Sequence, residues 1–82
     1  MENCAWIFVG SGPEGQALKI KGINVWQHQW QRAPQSSAVV SDPSYGQQYQ
    51  FAVYQIVDDG HTIEFAAGEF SNNVWVFYVP AP

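Results

Sequence analysis

Residues 61–79, HTIEFAAGEFSNNVWVFYV, form an apolar run broken by a single turn signal, and residues 48–57, QYQFAVYQIV, share its character. Between the two runs stands Asp59-Gly60, the strongest short-range signal for a two-residue hairpin, because both central residues of such a turn need positive φ. With that turn as the centre, Asp58 faces His61, Ile56 faces Ile63, Tyr54 faces Phe65 and Ala52 faces Ala67. The last three pairs are apolar on both sides, while Val57–Thr62 and Gln55–Glu64 share the opposite, more polar face. Sliding one strand by a single residue would destroy this agreement, since side chains alternate faces with a period of two. The pattern describes antiparallel strands in a small all-β domain.

The kinds of hydrophobe point the same way. Nine valines and five isoleucines stand against one leucine, Leu18, and one methionine, Met1. β-branched and aromatic residues suit a pleated, half-buried surface, whereas helices favour unbranched side chains. No segment sustains a helical period. The sequence predicts a single all-β domain over residues 1–82, a meander of five or six antiparallel strands curled into a barrel or a strongly bent sheet.

Along the chain, residues 4–9 (CAWIFV) read as the first strand, with Cys4, Trp6 and Phe8 on one face and Ala5, Ile7 and Val9 on the other. Residues 10–15 (GSGPEG) read as a hairpin connection; no GK[ST] follows, so a phosphate cradle is the weaker reading. A second strand is expected at 17–21, a bend at Gly22, and a third strand at 24–32. Residues 33–47 read as irregular, apart from a brief edge strand at Val39-Val40. Asn72-Asn73 forms the next tight turn, and the last strand runs over 74–79 until Pro80 ends it.

Charge excludes several functions. Lys19, Lys21 and Arg32 are the only basic residues, against seven acids, for a formal net charge of −4. Nucleic-acid binding needs several phosphate contacts from Lys and Arg, and adhesion to anionic lipid needs a basic cluster, so neither partner is expected. Charged residues are 12% of the chain, about half the usual share. Nine glutamines and many Asn, Ser and Tyr take their place, a composition suited to contact with a protein or a sugar. The single Cys4 excludes an internal disulfide. No basic stretch followed by an apolar one opens the chain, and no run is long enough to span a bilayer, so a cytoplasmic location is expected.

Candidate chemistry is sparse. Trp26, His28 and Trp30 alternate on one face of the expected third strand, which suits either a stacking platform or a core face with His28 hydrogen-bonded between two rings. Trp75 is a further stacking candidate. His28, His61 and Cys4 are the only soft metal ligands, and no two have ligand spacing, so no metal or other cofactor is expected. Cys4 as a nucleophile beside a histidine is less favoured than Cys4 as a small buried hydrophobe. Glu64 pairs with Gln55 as a solvated position. Glu69, in FAAGEFSNN, is placed either to cap turn amides or to line a pocket.

The segments FAAGEFSNNVWVFYVP and WIFVGSG resemble small uncharacterised bacterial β proteins of the mobile, integron-type gene-cassette kind. That resemblance implies a compact bacterial protein and carries over no activity and no functional residue. The residues themselves favour a non-enzymatic binding protein that meets its partner through aromatic and neutral-polar surface, with Trp26, His28, Trp30, Glu69 and Trp75 as candidate contacts. The alternative is a small-ligand or carbohydrate-binding module using Trp stacking; a small hydrolase or isomerase ranks below both. Strands one and last are apolar on both faces, and a core this small is thin. A homodimer covering one or both strands is therefore expected, unless the 33–47 loop covers them instead.

Overall fold

Three two-residue turns organise the chain in a computed structural model that describes residues 5–42 and 44–81. At each turn both central residues have positive φ: Lys21 and Gly22, Asp59 and Gly60, Asn72 and Asn73. This is the backbone of a type I′ hairpin turn, whose twist matches that of the strands it joins. The strands are β1 (Trp6–Pro13), β2 (Lys19–Ile20), β3 (Ile23–Asn24), β4 (Gln31–Ser41), β5 (Gln48–Asp58), β6 (His61–Ser71) and β7 (Val74–Pro80). A 3-10 turn, Val25–Gln27, follows β3. The protein is all-β, with one five-stranded antiparallel sheet in the order β1-β7-β6-β5-β4 and a separate β2-β3 ribbon.

The β5–β6 hairpin has the register its sequence requires, from Asp58↔His61 through Ile56↔Ile63 and Tyr54↔Phe65 to Ala52↔Ala67. β4 to β7 form the meander, and β1 returns to pair with β7. The sheet is open. Its edges are β1 and β4, which approach each other without sharing a ladder among the described residues, so the barrel alternative is not what forms.

Four expectations about the first half of the chain are corrected. β1 does not stop at residue 9: Gly10, Ser11 and Gly12 pair with Phe77, Val76 and Trp75, after a bulge at Val9 shifts the register. Small residues fit there because the chain beyond β1 folds back over them; a Cβ on Gly10 would stand 3.1 Å from Leu18 Cδ1. Cys4 lies outside the described residues.

The strand expected at 17–21 shrinks to Lys19–Ile20. That expected at 24–32 is interrupted, because the Asn24 side chain accepts hydrogen bonds from Trp26 N (3.1 Å) and Leu18 N (3.3 Å) and starts the 3-10 turn. Val25, which opens that turn, is fully buried. Residues 33–47 are mostly strand: β4 runs to Ser41 and leaves only a tight turn before β5. Pro34 is tolerated because β4 is an edge and because residues 33–36 bulge out between the pairs Arg32↔Tyr54 and Ser37↔Ala52.

Both faces of the sheet are packed. On one, Ile20 and Val25 from the segment between β1 and β4 sit on Ile56, Ile63, Phe65, Ala67 and Phe77. The cover is thus residues 18–30 and not the 33–47 stretch. On the other face Ala33, Ala38, Val40, Val53, Ala66 and Tyr78 cluster with Trp6. All five strands contribute to this second cluster, and the edge strands β1 and β4 approach each other across it, so the sheet curls around it as a concave face. β7 serves both: Trp75, Phe77 and Val79 pack on the first side, Val76 and Tyr78 on the second. Among the described residues no helix is long and apolar enough to cross a membrane.

Candidate functional site

The concave face is not filled to its rim. At the end of the sheet where β5 begins and β6 finishes, a cleft of about 210 Å³ remains open, and five aromatic rings line it. Phe8 comes from β1, Tyr49 and Phe51 from β5, Phe70 from β6 and Tyr78 from β7. Tyr49 and Phe51 stack at 6.0 Å, Phe70 meets Tyr49 edge-on at 5.1 Å, and Phe8 meets Tyr78 edge-on at 5.5 Å. Phe51 bridges the two groups, 6.2 Å from the Tyr78 ring.

Phe51 lies where it does because β6 has no side chain beneath it. A Cβ on Gly68 would stand 2.6 Å from Phe51 Cε1 and 3.0 Å from Cγ, which is closer than real contacts allow. The bulge at Phe70, between the pairs Glu69↔Trp75 and Ser71↔Val74, accompanies the turn of that ring toward the cleft. Phe70 and Phe8 remain exposed, at 45% and 37%, so the rings are reachable from solvent.

Ser11, Asp42, Ser44 and the two phenols supply the polar groups of the cleft. Tyr78 donates its hydroxyl to the Ser41 carbonyl (2.9 Å), and Tyr49 donates to Gln47 Oε1 (2.8 Å). Burial, and after it the negative charge of Asp42, pushes the Tyr78 phenol above its ordinary pKa, so it stays a neutral donor. Asp42 also lines the cleft. Its Oδ1 accepts from Ser44 N (2.8 Å), its carbonyl accepts from Gly46 N (2.8 Å), and its N–H donates to Gln47 O (2.7 Å). Three bonds to one short turn hold the carboxylate in place. Among the described residues lining the cleft there is no lysine, arginine or histidine.

The residues singled out by sequence lie elsewhere. Trp26, Trp30 and Trp75 do come together, with ring centroids 5.0 to 5.8 Å apart, but on the opposite face of the sheet. There Trp26 packs edge-on against Phe77, Trp30 edge-on against Phe65 and Phe77, and Trp75 edge-on against the other two tryptophans, all beside the first core cluster. Trp26 and Trp30 pack inward as in the core-face reading, but a 3-10 turn and not strand alternation aligns them, and the two rings meet each other directly where that reading sets His28 between them. Trp30 Nε1 donates to the Val25 carbonyl (2.8 Å), whereas Trp75 Nε1 is buried with no partner among the described residues. His28 ends the 3-10 turn, its N–H donating to the Val25 carbonyl at 3.4 Å. Glu69 is exposed and accepts from Asn73 N (3.0 Å), so it caps the β6–β7 turn and does not line the cleft. Among the described residues no three of His, Cys, Asp or Glu converge on one point.

One signal for the cleft was present in the sequence. Continuing the β5–β6 register beyond Ala52↔Ala67 sets Phe51 against Gly68 and Tyr49 against Phe70, an aromatic end to a face that is polar at Gln55–Glu64. No protein-family model, curated protein or solved structure matches this chain. The cleft and its chemistry therefore carry the functional argument alone.

Proposed function

We propose that this chain is a non-catalytic binding protein that engages its ligand through the aromatic cleft on the concave face. The observation that supports this most is the five-ring lining left open to solvent in a fold whose other aromatic clusters are spent on the core. Interior aromatics normally close on one another, and an exposed concave group of them marks a contact surface. A sugar platform on Trp26, Trp30 and Trp75 has less support, because those rings pack on each other and Trp26 and Trp30 pack further on Phe77 and Phe65. Acid–base catalysis through Glu69 or His28 also has little, since Glu69 is bound to its own turn and His28 lies across the sheet. The test is an NMR titration of the isotope-labelled chain with aromatic acids, alkylammonium salts and monosaccharides. Shifts clustering on Phe8, Tyr49, Phe51 and Phe70 are expected; shifts confined to the tryptophan face, or none at millimolar concentration, contradict the proposal.

A homodimer is the second proposal, and it now rests on β1 alone. The chain itself covers both faces of β7, but Ile7 and Val9 on the free edge of the sheet are 46% and 42% exposed. An apolar, unpaired edge invites pairing with a second copy. Light scattering at tens of micromolar should report about twice the monomer mass of 9.2 kDa, falling back to that value in Ile7→Lys. A wild-type monomer at that concentration refutes it.

A further inference from the structure

We propose that the ligand group seated in the cleft is an alkylated ammonium, held against the ring faces with its charge answered by the Asp42 carboxylate. This rests on the cleft being the binding surface and goes on to name what it binds. Size comes first. A volume of about 210 Å³ is below the ~300–1,000 Å³ of pockets that enclose whole drug-sized ligands. It suits a compact head group whose remainder stays in solvent.

Charge decides the sign. Aromatic faces are negative, Asp42 adds a full negative charge, no basic side chain lines the cleft among the described residues, and the chain carries a net −4. An anion would meet repulsion from every side. A neutral apolar group would strip water from a carboxylate and return nothing to it, whereas a cation compensates that loss.

Hydrogen bonding decides the substitution. A bare ammonium brings three N–H donors that each need an acceptor. Apart from Ser11, Asp42, Ser44 and the two phenol oxygens, the lining is phenylalanine rings with Val74 and Val76, which are poor acceptors, so N–H groups directed there go unanswered. An ammonium whose hydrogens are replaced by methyl groups makes no such demand and presents a soft cationic surface to the rings. The same head group occurs on free cholines and on methylated lysine side chains of proteins.

The test is an NMR titration of the full chain with choline, its neutral carbon isostere 3,3-dimethylbutan-1-ol, ammonium chloride, and a short trimethyl-lysine peptide. Choline should shift the cleft residues saturably and bind at least several-fold more tightly than the isostere, with ammonium weaker than both. Asp42→Asn, which keeps an acceptor for Ser44 N, should weaken choline about tenfold and leave the isostere unchanged. Isostere and choline binding equally at the cleft, with no effect of Asp42→Asn, overturns the cation and leaves the binding cleft standing. Absence of choline shifts at the cleft, while the aromatic acids of the broader titration do bind there, overturns it equally. A peptide bound tenfold more tightly than choline assigns the head group to a protein partner; equal affinity assigns it to a small molecule.

Discussion

Phe51 and Gly68 show how one missing side chain shapes a surface. With only hydrogen on the Gly68 Cα, the Phe51 ring lies down over β6, stacks on Tyr49 and reaches Tyr78. Gly68→Ala should force that ring outward, destabilising the protein by about 1–3 kcal/mol as overpacking does and abolishing ligand-induced shifts in the cleft. Urea denaturation and a repeat titration check both, and an unchanged midpoint with intact binding contradicts the packing described. At this scale the sequence is legible where a residue acts through near neighbours. Glu69 capping Asn73 N spans four residues and was within reach of sequence reasoning. The five cleft rings come from four strands. Bringing Phe8 beside Tyr78 depends on β1 returning to pair with β7, a contact across most of the chain that no local pattern encodes.

Among the elements, the β5–β6 hairpin is the most self-determined. Its turn needs positive φ twice, and Gly60 meets that need at +79° without a steric cost. Gly60→Val should cost about 1–3 kcal/mol, read as a lowered melting temperature; an unchanged melt would remove the type I′ turn from this description. Strand β4 and the 18–30 segment are less legible in the sequence, for opposite reasons. β4 carries Pro34 and several serines, and is held by pairing with β5 rather than by its own propensity. The tryptophan segment has strong strand alternation, yet the Asn24 side chain takes the backbone amides of Leu18 and Trp26 and bends it. Side-chain capping of this kind competes with a ladder and wins where the strand has no long partner.

The whole molecule is an open, curled sheet with one face sealed by its own chain and the other left partly open. Its charge limits what that open face meets. Three basic residues cannot displace enough counterions from a phosphate backbone to offset a net −4, so no salt-sensitive sub-micromolar complex with duplex DNA or RNA should appear in a filter-binding assay. Such a complex would contradict this electrostatic account. The open face is defined by rings, and Phe70 is the one to remove: it is 45% exposed and touches the half-buried Tyr49 edge-on. The most direct measurement is therefore the affinity of Phe70→Ala for choline by NMR, alongside its thermal melt. Loss of a solvent-facing ring should leave stability within about 0.5 kcal/mol while weakening binding at least tenfold, as removal of a contact hot spot does. Full affinity in a variant that folds normally would contradict the claim that this cleft is where the protein binds.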